Sequence, residues 1–483
     1  MRLHFDNSFA RLPGYFYTRL DAVPVKQCEL VHVNRNLAKQ LGINDRELKS
    51  PAFAEYFGGN ERLKGSDPLA MVYAGHQFGY YVPQLGDGRA LLLGEVLDGQ
   101  GERWDIQLKG AGQTPYSRMA DGRAVLRSTI REYLCSEAIH ALGIPTTRAL
   151  CIVATHEPVY RHVPEPGAVL TRVAQSHIRI GHFEYFYYTR QPDALRQLAD
   201  YVLQRHYPGQ PCDQEGYGYL FEQAVVRTAR LIAQWQTVGF CHGVMNTDNM
   251  SILGMTIDYG PFGFLDTFDE RHVCNSSDEM GRYAYDQQPN IAYWNLTALA
   301  QALTPLIPEA DLRQSLDRFQ PELIGHFDAM MRDKLGWQHT HLEDAELIND
   351  LLILLQKHAL DYTLFFRTLS DFQSDGDVSR FDVLCRSPDE LHAWLERYQA
   401  RTTQEGTPAS IRERRMKQAN PKYILRNYLA QQAIERAYEQ QDYREIDRLF
   451  RVLQHPYDEQ PEYLEYAGLP PSWAKKIEVS CSS

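Results

Sequence analysis

The chain has 483 residues, more than the roughly 250–300 over which one hydrophobic core keeps growing, so at least two lobes are expected. Hydrophobic residues make up 43% and charged residues 23%, an ordinary globular composition that excludes a disordered chain or a coiled-coil rod. The formal net charge of −12 argues against nucleic acid as a partner, because such binding needs a concentrated positive field.

The sequence predicts no targeting or membrane segment. Residues 1–6 contain an early acid and lead into no apolar run, which fits neither a secretory signal nor a transit peptide. No stretch approaches the roughly 20 apolar residues of a membrane helix. The eight cysteines are scattered without a Cys-x-x-Cys pair, which argues against structural zinc and a secreted disulfide framework. We therefore expect a cytoplasmic protein without a membrane partner.

The predicted elements begin with an N-terminal extension, residues 1–68, that has a helix near residues 36–41. Residues 69–190 form a strand-rich lobe in which the runs 90–96 and 104–108 flank a Gly-rich turn and predict a hairpin. Within this lobe a helix over residues 124–142 follows the hairpin, and strand character resumes at 149–155 and 169–173.

Helices dominate the remaining part, residues 191–483. They are predicted at residues 220–238, 344–360 and 421–438, the last opened by Asn420 with Pro421 in its first turn. The Pro- and Gly-rich stretches 157–167 and 190–217 are the expected hinges. A small strand-rich lobe before a large helical lobe makes the fold α+β and has the two-lobed outline of a protein kinase.

A loop at residues 241–259 carries the clearest chemical pattern. His242 and Asn249 match the first and last positions of the kinase catalytic loop, His-Arg-Asp-x-x-x-x-Asn. Val244 stands where a kinase has the Asp that accepts the substrate's proton, and valine cannot accept one. Asp258, in Asp-Tyr-Gly, stands where a kinase holds a second metal ligand. Asn249 and Asp258 thus offer two oxygen ligands for Mg²⁺, although a helix cap and a turn would also explain them.

Further candidates lie upstream. Gly86 and Gly88, just before a strand, resemble a glycine-rich nucleotide loop, although ordinary hairpins also contain Gly-x-Gly. Lys109 could pair with Glu132 on the next helix, as the kinase lysine does; the alternative is two separate surface charges.

Two arginines and a turn complete the candidate set. The forked guanidinium groups of Arg172 and Arg179 could grip phosphate oxygens, or could be ordinary surface charges. Asp121 and Gly122 precede the helix at 124–142, where they could cap it or contact an anion or a ribose.

Seven stretches together closely resemble the selenoprotein O family: residues 73–79, 84–89, 107–117, 121–132, 242–249, 258–260 and 420–429. The resemblance covers nearly the whole chain, which is similar to the bacterial members that carry cysteine, here Cys481, in place of selenocysteine. It implies a pseudokinase fold that binds ATP in a flipped orientation and transfers AMP to hydroxyl groups of protein side chains. Val244 agrees with this, and so does Asp87, whose charge would repel a triphosphate bound in the usual direction.

The resemblance also implies roles for individual residues. Glu132 would orient Lys109, and Asp248 would accept the proton in place of residue 244. Asn249 and Asp258 would hold Mg²⁺ or Mn²⁺. The residues that would contact the nucleotide are Gly86, Gly88, Arg89, Lys109, Asp121, Gly122, Arg172, Arg179 and Asp258.

The implied reaction is attack of a Ser, Thr or Tyr hydroxyl of a target protein on the α-phosphorus, with release of pyrophosphate. UTP in place of ATP, giving UMP transfer, stays open. Two other interpretations remain: a kinase-like phosphotransferase, against which Val244 argues, and an inert nucleotide-binding scaffold, against which the metal ligands argue. A reversible disulfide between Cys274 and Cys481 is a further hypothesis, since Cys274 follows Asp258 by about the length of an activation segment.

Overall fold

The computed structural model describes residues 1, 3–161, 163–372, 377–385 and 388–480. Its strands are β1 (Tyr17–Arg19), β2 (Glu29–Val33), β3 (Leu69–Met71), β4 (Gly75–Gln77), β5 (Tyr80–Val82), β6 (Ala90–Leu97), β7 (Arg103–Lys109), β8 (Ala124–Val125), β9 (Arg148–Tyr160), β10 (Pro164–Ala174), β11 (Phe240–Cys241) and β12 (Gly263–Phe264).

The α-helices are α1 (Arg35–Gln40), α2 (Asp45–Leu48), α3 (Pro51–Gly58), α4 (Leu126–Ala141), α5 (Ile180–Tyr188), α6 (Pro192–His206), α7 (Gln214–Val238), α8 (Gln288–Leu303), α9 (Glu309–Leu316), α10 (Phe319–Leu335), α11 (Asp344–Lys357), α12 (Tyr362–Asp371), α13 (Ser379–Asp382), α14 (Asp389–Thr403), α15 (Ala409–Ala419), α16 (Asn427–Gln440) and α17 (Arg444–Leu453). Short 3₁₀ segments lie at Phe9–Arg11, Thr247–Asn249, Tyr285–Gln287, Pro461–Ala467 and Ser472–Lys476. The predicted α+β class, with strands mainly early and helices mainly late, is confirmed.

One antiparallel sheet of eight strands forms the N-terminal part, in the order β1-β3-β6-β7-β10-β9-β2 with β8 paired to β10. The predicted hairpin is its centre: β6 and β7 pair from Ala90 opposite Lys109 to Leu97 opposite Arg103. Asp98 stabilises the turn by accepting from the backbone N of Gln100 at 2.9 Å and of Glu102 at 3.0 Å. The N-terminal extension supplies both edge strands, β1 and β2.

The two faces of this sheet pack against different parts of the chain. Ile106 and Leu108 of β7 point toward α1–α3 and help to form a separate apolar cluster there. Gln107 and Lys109 alternate with them and point to the other face, where α4 packs. On that second face, one apolar core continues through α7 and α8 to α16 and α17. The two parts of the chain therefore share a core, and Lys109 lies at the junction between them.

Three local predictions are wrong. The helix predicted over residues 421–438 begins only at Asn427, because Asn420 is buried and donates to Lys334 O at 2.8 Å and Ser370 Oγ at 3.0 Å instead of capping a helix. The expected hinge at 190–217 contains the 15-residue helix α6. The expected hinge at 157–167 belongs largely to the long β9–β10 hairpin. The boundaries 1–68, 69–190 and 191–483 stay predictions.

Within the described ranges, no helix combines the length and apolarity needed to cross a bilayer.

Candidate functional site

Lys109 and Glu132 form a buried ion pair. Lys109 Nζ donates to one carboxylate oxygen of Glu132, and Arg172 Nε donates to the other at 2.5 Å. The sheet register explains this arrangement, because Arg172 of β10 lies opposite Gln107, two residues before Lys109 on the same face of β7. All three charged side chains are buried. The alternative of two separate surface charges is therefore wrong.

The Glu132 carboxylate keeps its charge in this cluster. Burial alone would raise the pKa of Glu132, but the charges of Arg172 and Lys109 outweigh burial and lower the pKa to about 2. Burial lowers the pKa of Lys109 to about 7, because desolvation outweighs the attraction of Glu132. When Lys109 is protonated, two positive charges face one negative charge. An anionic ligand would offset the excess and favour the protonated lysine.

Asp258 lies between two arginines. Its Oδ1 is 2.7 Å from Arg172 Nη1, and its Oδ2 accepts a hydrogen bond from Arg179, the residue that precedes α5. The same Arg179 nitrogen donates to the backbone O of Asp248 at 2.7 Å. Asp258 has a φ of +58°, and such backbone strain outside glycine is concentrated at functional sites. Arg172 therefore links Glu132 to Asp258, and Arg179 links Asp258 to the catalytic-loop segment.

Hydrogen bonds of buried groups hold the loop that follows α7 and β11. The backbone N of His242 donates to Gln288 Oε1 at 2.9 Å, and His242 Nε2 lies 2.9 Å from Ile257 O, next to Asp258. Asn249 Nδ2 donates to Val244 O at 3.2 Å. Its Oδ1 has no hydrogen-bond partner in the part of the chain that the structure describes. His242 thus joins the loop to the Asp258 segment, and Asn249 keeps one oxygen available.

The buried surroundings of Asp248 favour its protonated form more than water favours that of an exposed aspartate. The side chain is 7% exposed, and its Oδ2 accepts from Gln77 Nε2 at 3.2 Å. Its Oδ1 is buried without a hydrogen-bond partner. Burial is the largest cause that raises the pKa of Asp248, to about 6, and nearby Arg179 and Gln77 offset only part of it. A carboxyl group with this pKa suits general acid–base chemistry near neutral pH.

The glycine-rich turn is held against residues 114–117. A side chain at Gly88 would place its Cβ 2.8 Å from Tyr116 O, and Gly86 has a φ of +86°, so both positions require glycine. Ser117 Oγ donates to Gly88 O, and Thr114 Oγ1 donates to Asp87 O at 2.7 Å.

The Asp87 side chain is buried in the turn and does not extend into solvent. It is 1% exposed, and its Oδ2 accepts a hydrogen bond from Met71 N at 3.0 Å. Its Oδ1 is buried without a partner, and burial raises the pKa of Asp87. Asp87 also lines the cleft, where its carboxylate could repel nearby phosphate groups, so the flipped orientation of the nucleotide stays a prediction.

Arg89 has no ion-pair partner within the described ranges, whereas Asp121 has one. The Arg89 side chain is exposed. Asp121 forms an ion pair with Arg161 at 2.7 Å and accepts from Arg123 N at 2.9 Å. The capping alternative for Asp121 is wrong, because α4 begins at Leu126 and its N-terminal residue has no side-chain cap. Gly122 has a φ of +69° and lies too close to Gly112 O to accept a side chain.

One cleft of about 540 Å³ brings these residues together. Glu132 lies behind it, in contact with Lys109. Among the predicted residues, those that line the cleft are Gly86, Gly88, Arg89, Lys109, Asp121, Gly122, Arg172, Arg179, Asp248, Asn249 and Asp258. Val244 lines it as well. Their individual roles stay predictions, but the shared cavity that those roles require is present.

The donor atoms in the cleft fit a hard divalent cation. Asn249 Oδ1 and the Asp258 carboxylate are oxygen donors of the kind that Mg²⁺ and Mn²⁺ prefer. Over the described ranges, no group of three or more His, Cys, Asp or Glu side chains could hold a metal. A set of two protein donors fits Mg²⁺ or Mn²⁺, because such a cation can take its other ligands from water and phosphate. Such a cation would share Asp258 with Arg172 and Arg179.

Several supporting residues were missed from the sequence. Gln77 contacts Asp248, and Arg161 pairs with Asp121. Thr247 donates to the buried Glu184 and accepts from His76 N at 2.7 Å, which fastens the turn that carries Asp248 to β4 and α5. Gln77 and His76 lie in the stretch 73–79 and Thr247 in the stretch 242–249, both noted above for their resemblance, whereas no motif pointed to Arg161 or Glu184.

Only one of the two cysteines of the redox hypothesis, Cys274, lies within the described residues. Cys274 is 8% exposed, its Sγ donates to Pro261 O at 2.9 Å, and burial raises its pKa well above that of a free thiol. This environment disfavours the reactive thiolate. Cys481 lies outside the described residues, so the disulfide stays a prediction.

The geometry of the cleft indicates a class of enzyme. A cleft lined by a buried lysine and several arginines, with two side chains that offer oxygen donors and a carboxyl group of raised pKa, is typical of enzymes that act on nucleotides or other polyphosphates.

Comparison with known proteins gives the family. A family model described as "Protein adenylyltransferase SelO" matches residues 1–454. Three relatives are each named "Protein nucleotidyltransferase YdiU": those of Myxococcus xanthus (53% identical over 485 residues), Thioalkalivibrio sulfidiphilus (52% over 487) and Pseudomonas aeruginosa strain LESB58 (51% over 483). Each alignment covers 100% of this chain and 99% of the relative. The chain belongs to the SelO family of protein adenylyltransferases, as its sequence motifs indicate.

Proposed function

We propose that this chain transfers AMP from ATP to Ser, Thr or Tyr hydroxyl groups of target proteins and releases pyrophosphate. Membership of the SelO family supports the reaction class. The observation that carries the proposal is that Lys109, Arg172, Asp248 and Asp258 line one cleft, so that phosphate-binding cations and a proton acceptor meet there.

The residues of the cleft have different proposed roles: phosphate binding, positioning of the cations, and proton acceptance. Lys109, Arg172 and the unpaired Arg89 would bind and orient the triphosphate, because all three present positive charge in the cleft: Lys109 and Arg172 are buried, and Arg89 is exposed. Glu132 would hold Lys109 and Arg172 in place through its two oxygens. In the reaction, the target hydroxyl oxygen forms a bond to the α-phosphorus as the bond to pyrophosphate breaks. Asp248 would accept the hydroxyl proton on a carboxylate oxygen, and positioning would supply much of the rate.

Mg²⁺ or Mn²⁺ is part of the proposal. Asn249 and Asp258 would hold the ion, and it would supply charge neutralisation for the phosphates. Arg172 and Arg179 already contact Asp258, so they would keep the carboxylate oriented when it binds a cation.

We also propose the finer fold assignment, a protein-kinase-like arrangement with a flipped nucleotide. The buried Lys109–Glu132 pair and the chain order of the loop at 242–249 before Asp258 support a kinase-like arrangement. Val244 lines the cleft where a kinase has its catalytic Asp, which disfavours phosphate transfer. The inward-pointing Asp87 carboxyl supports the flip, because it would repel phosphates placed beside it.

Incubation with ATP labelled at either the α or the γ position tests the reaction. The expected result is that label enters protein only from the α position, and that Asp248→Asn lowers the incorporation strongly. Label from the γ position alone would identify a kinase, and label from neither would refute the transfer reaction. UTP in a parallel incubation, with Mg²⁺ and with Mn²⁺, determines the preferred base and metal.

A further inference from the structure

A second cavity, of about 850 Å³, opens beside the nucleotide cleft and shares Phe78 with it. We call it the hairpin groove, because one wall is the turn between β4 and β5 and the other lies within residues 271–291. Four large apolar side chains in its lining are exposed to solvent: Phe78 (37%), Val273 (39%), Tyr80 (79%) and Met280 (92%). A cluster of this kind beside a catalytic cleft is typical of a surface that binds a partner.

The turn at the edge of the groove has an unusual sequence. Phe78 and Gly79 are the two residues between paired Gln77 and Tyr80, and both have positive φ, +50° and +86°. Such two-residue turns favour Asn or Asp before Gly, and phenylalanine at this position has a strained backbone. The strained backbone is held by Tyr283, whose Oη accepts from Phe78 N at 3.0 Å and whose ring lies 5.1 Å from the Phe78 ring. The turn therefore keeps an aromatic ring between the two cavities at an energetic cost.

The same hairpin positions the proposed proton acceptor. Gln77 at the end of β4 donates to Asp248 Oδ2 at 3.2 Å, and His76 N donates to Thr247 Oγ1 at 2.7 Å. Gly75 lies directly against Asp248, because a Cβ there would come within 2.5 Å of Oδ1. A polypeptide lying in the hairpin groove would thus be next to the strand that carries the contacts to Asp248.

Arg282 gives the groove a specific charge. Its guanidinium group lies 5.1 Å from the Trp294 ring centroid and 5.8 Å from that of Tyr283, so stacking holds it in place. No Asp or Glu in the described ranges forms an ion pair with it, and its Nε is buried without a hydrogen-bond partner. Asp278, which also lines the groove, uses its carboxylate to accept from the backbone N of Arg282 and of Tyr283. Arg282 is therefore oriented and lacks an anion.

We propose that the hairpin groove is the docking site of the target protein. The occupant is an extended segment that places an apolar side chain on Phe78, Tyr80 and Met280, sets one acidic side chain on Arg282, and directs a nearby hydroxyl group to Asp248. Glu279 and Asp286 also line the groove, so a single acid at Arg282 is favoured over an acidic run. This inference rests on the proposed function, because it assumes that the acceptor hydroxyl belongs to a protein.

An array of peptides tests it. Each peptide has one central Ser, Thr or Tyr, an apolar neighbour, and one flanking position occupied by Asp, Glu, Ala or Lys. Binding is measured with an ATP analogue that has a methylene group between the α- and β-phosphorus, and transfer is measured separately with α-labelled ATP. The wild type is expected to bind Asp- and Glu-containing peptides about tenfold more tightly than the Lys-containing ones.

Charge reversal at Arg282 tests whether this residue causes the preference for acidic peptides. Arg282→Glu should move the preference to Lys-containing peptides, whereas Arg46→Glu, the same change at an exposed residue of α2, should leave it unchanged. Tyr80→Ser should raise KM for peptide several-fold with kcat and the affinity for ATP unchanged, and it tests the site even if the charge-reversed variant does not fold. An unchanged acidic preference in Arg282→Glu, or an unchanged peptide KM in Tyr80→Ser, overturns the docking site. Absence of α-label transfer refutes the proposed function instead, and the binding result with the analogue still decides whether the groove binds polypeptide.

Discussion

Replacing Asp248 by asparagine removes one negative charge and keeps the size of the side chain. In the wild type this carboxyl group is buried, accepts one hydrogen bond from Gln77, and has an unpartnered Oδ1. If it accepts the proton of the target hydroxyl, only its ionised form is active. The rate of transfer should therefore fall as the pH falls through the pKa of Asp248.

The magnitude follows from the raised pKa of about 6. At pH 7 about nine tenths of the Asp248 carboxyl groups are ionised, and at pH 5 about one tenth are, so kcat should decrease roughly tenfold per pH unit below 6. In Asp248→Asn the rate should be about 10²- to 10⁴-fold lower, the usual contribution of a general base, and should no longer change between pH 5 and 7.

The assay is incorporation of α-label at saturating ATP and metal between pH 5 and 8. Asp87→Asn is the matched control, because Asp87 is a second buried carboxyl group of the cleft whose pKa burial also raises. The wild-type decrease below pH 6 should persist in Asp87→Asn and disappear in Asp248→Asn. A profile that is unchanged in Asp248→Asn, or lost in Asp87→Asn, contradicts the assignment of Asp248 as proton acceptor.

Three further predictions concern the charges around the cleft. Glu132→Gln leaves the buried Lys109 without a carboxylate and Arg172 with Asp258 alone, and should lower the free energy of unfolding by about 3–5 kcal/mol in urea denaturation. Glu309→Gln, which breaks an exposed pair with Arg313, should change the free energy of unfolding by no more than about 0.5 kcal/mol. Asp258→Asn tolerates the left-handed backbone but replaces the carboxylate by a neutral amide, which binds a divalent cation more weakly and loses the ion pairs with Arg172 and Arg179. Transfer should therefore fall steeply while the protein still melts cooperatively. Retained activity with normal metal dependence would exclude Asp258 from the site. Chelation by EDTA should stop transfer, and added Mg²⁺ or Mn²⁺ should restore it; full activity after exhaustive chelation would remove the metal from the mechanism.

The sequence predicted best where contacts follow from the order of neighbouring elements. Lys109 ends a strand and Glu132 lies on the helix that packs on the same sheet face, so a strand–helix pattern was enough to suggest their pairing. The hairpin of β6 and β7 followed similarly from two apolar runs around a glycine-rich turn.

Contacts between distant parts of the chain could not be predicted. Asp258 was expected as a metal ligand, but its contacts with Arg172 and Arg179 arise only when β10, the start of α5 and the loop after α7 come together. The late start of α16 has the same origin: Asn420 and Pro421 are a good local helix signal, yet Asn420 is buried against Lys334 and Ser370. The buried Arg426, which pairs with Asp361 and Asp266, has an extended backbone just before the helix. Tertiary pairing of buried polar groups outweighed the local helix propensity of this segment.

A crystal structure with Mn²⁺ and the methylene analogue of ATP would show whether one cleft holds nucleotide and metal together. We expect phosphate oxygens within hydrogen-bond distance of Lys109 and Arg172, and Mn²⁺ bound to Asn249 Oδ1 and the Asp258 carboxylate. A nucleotide bound elsewhere, or a metal that contacts neither Asn249 nor Asp258, would contradict it.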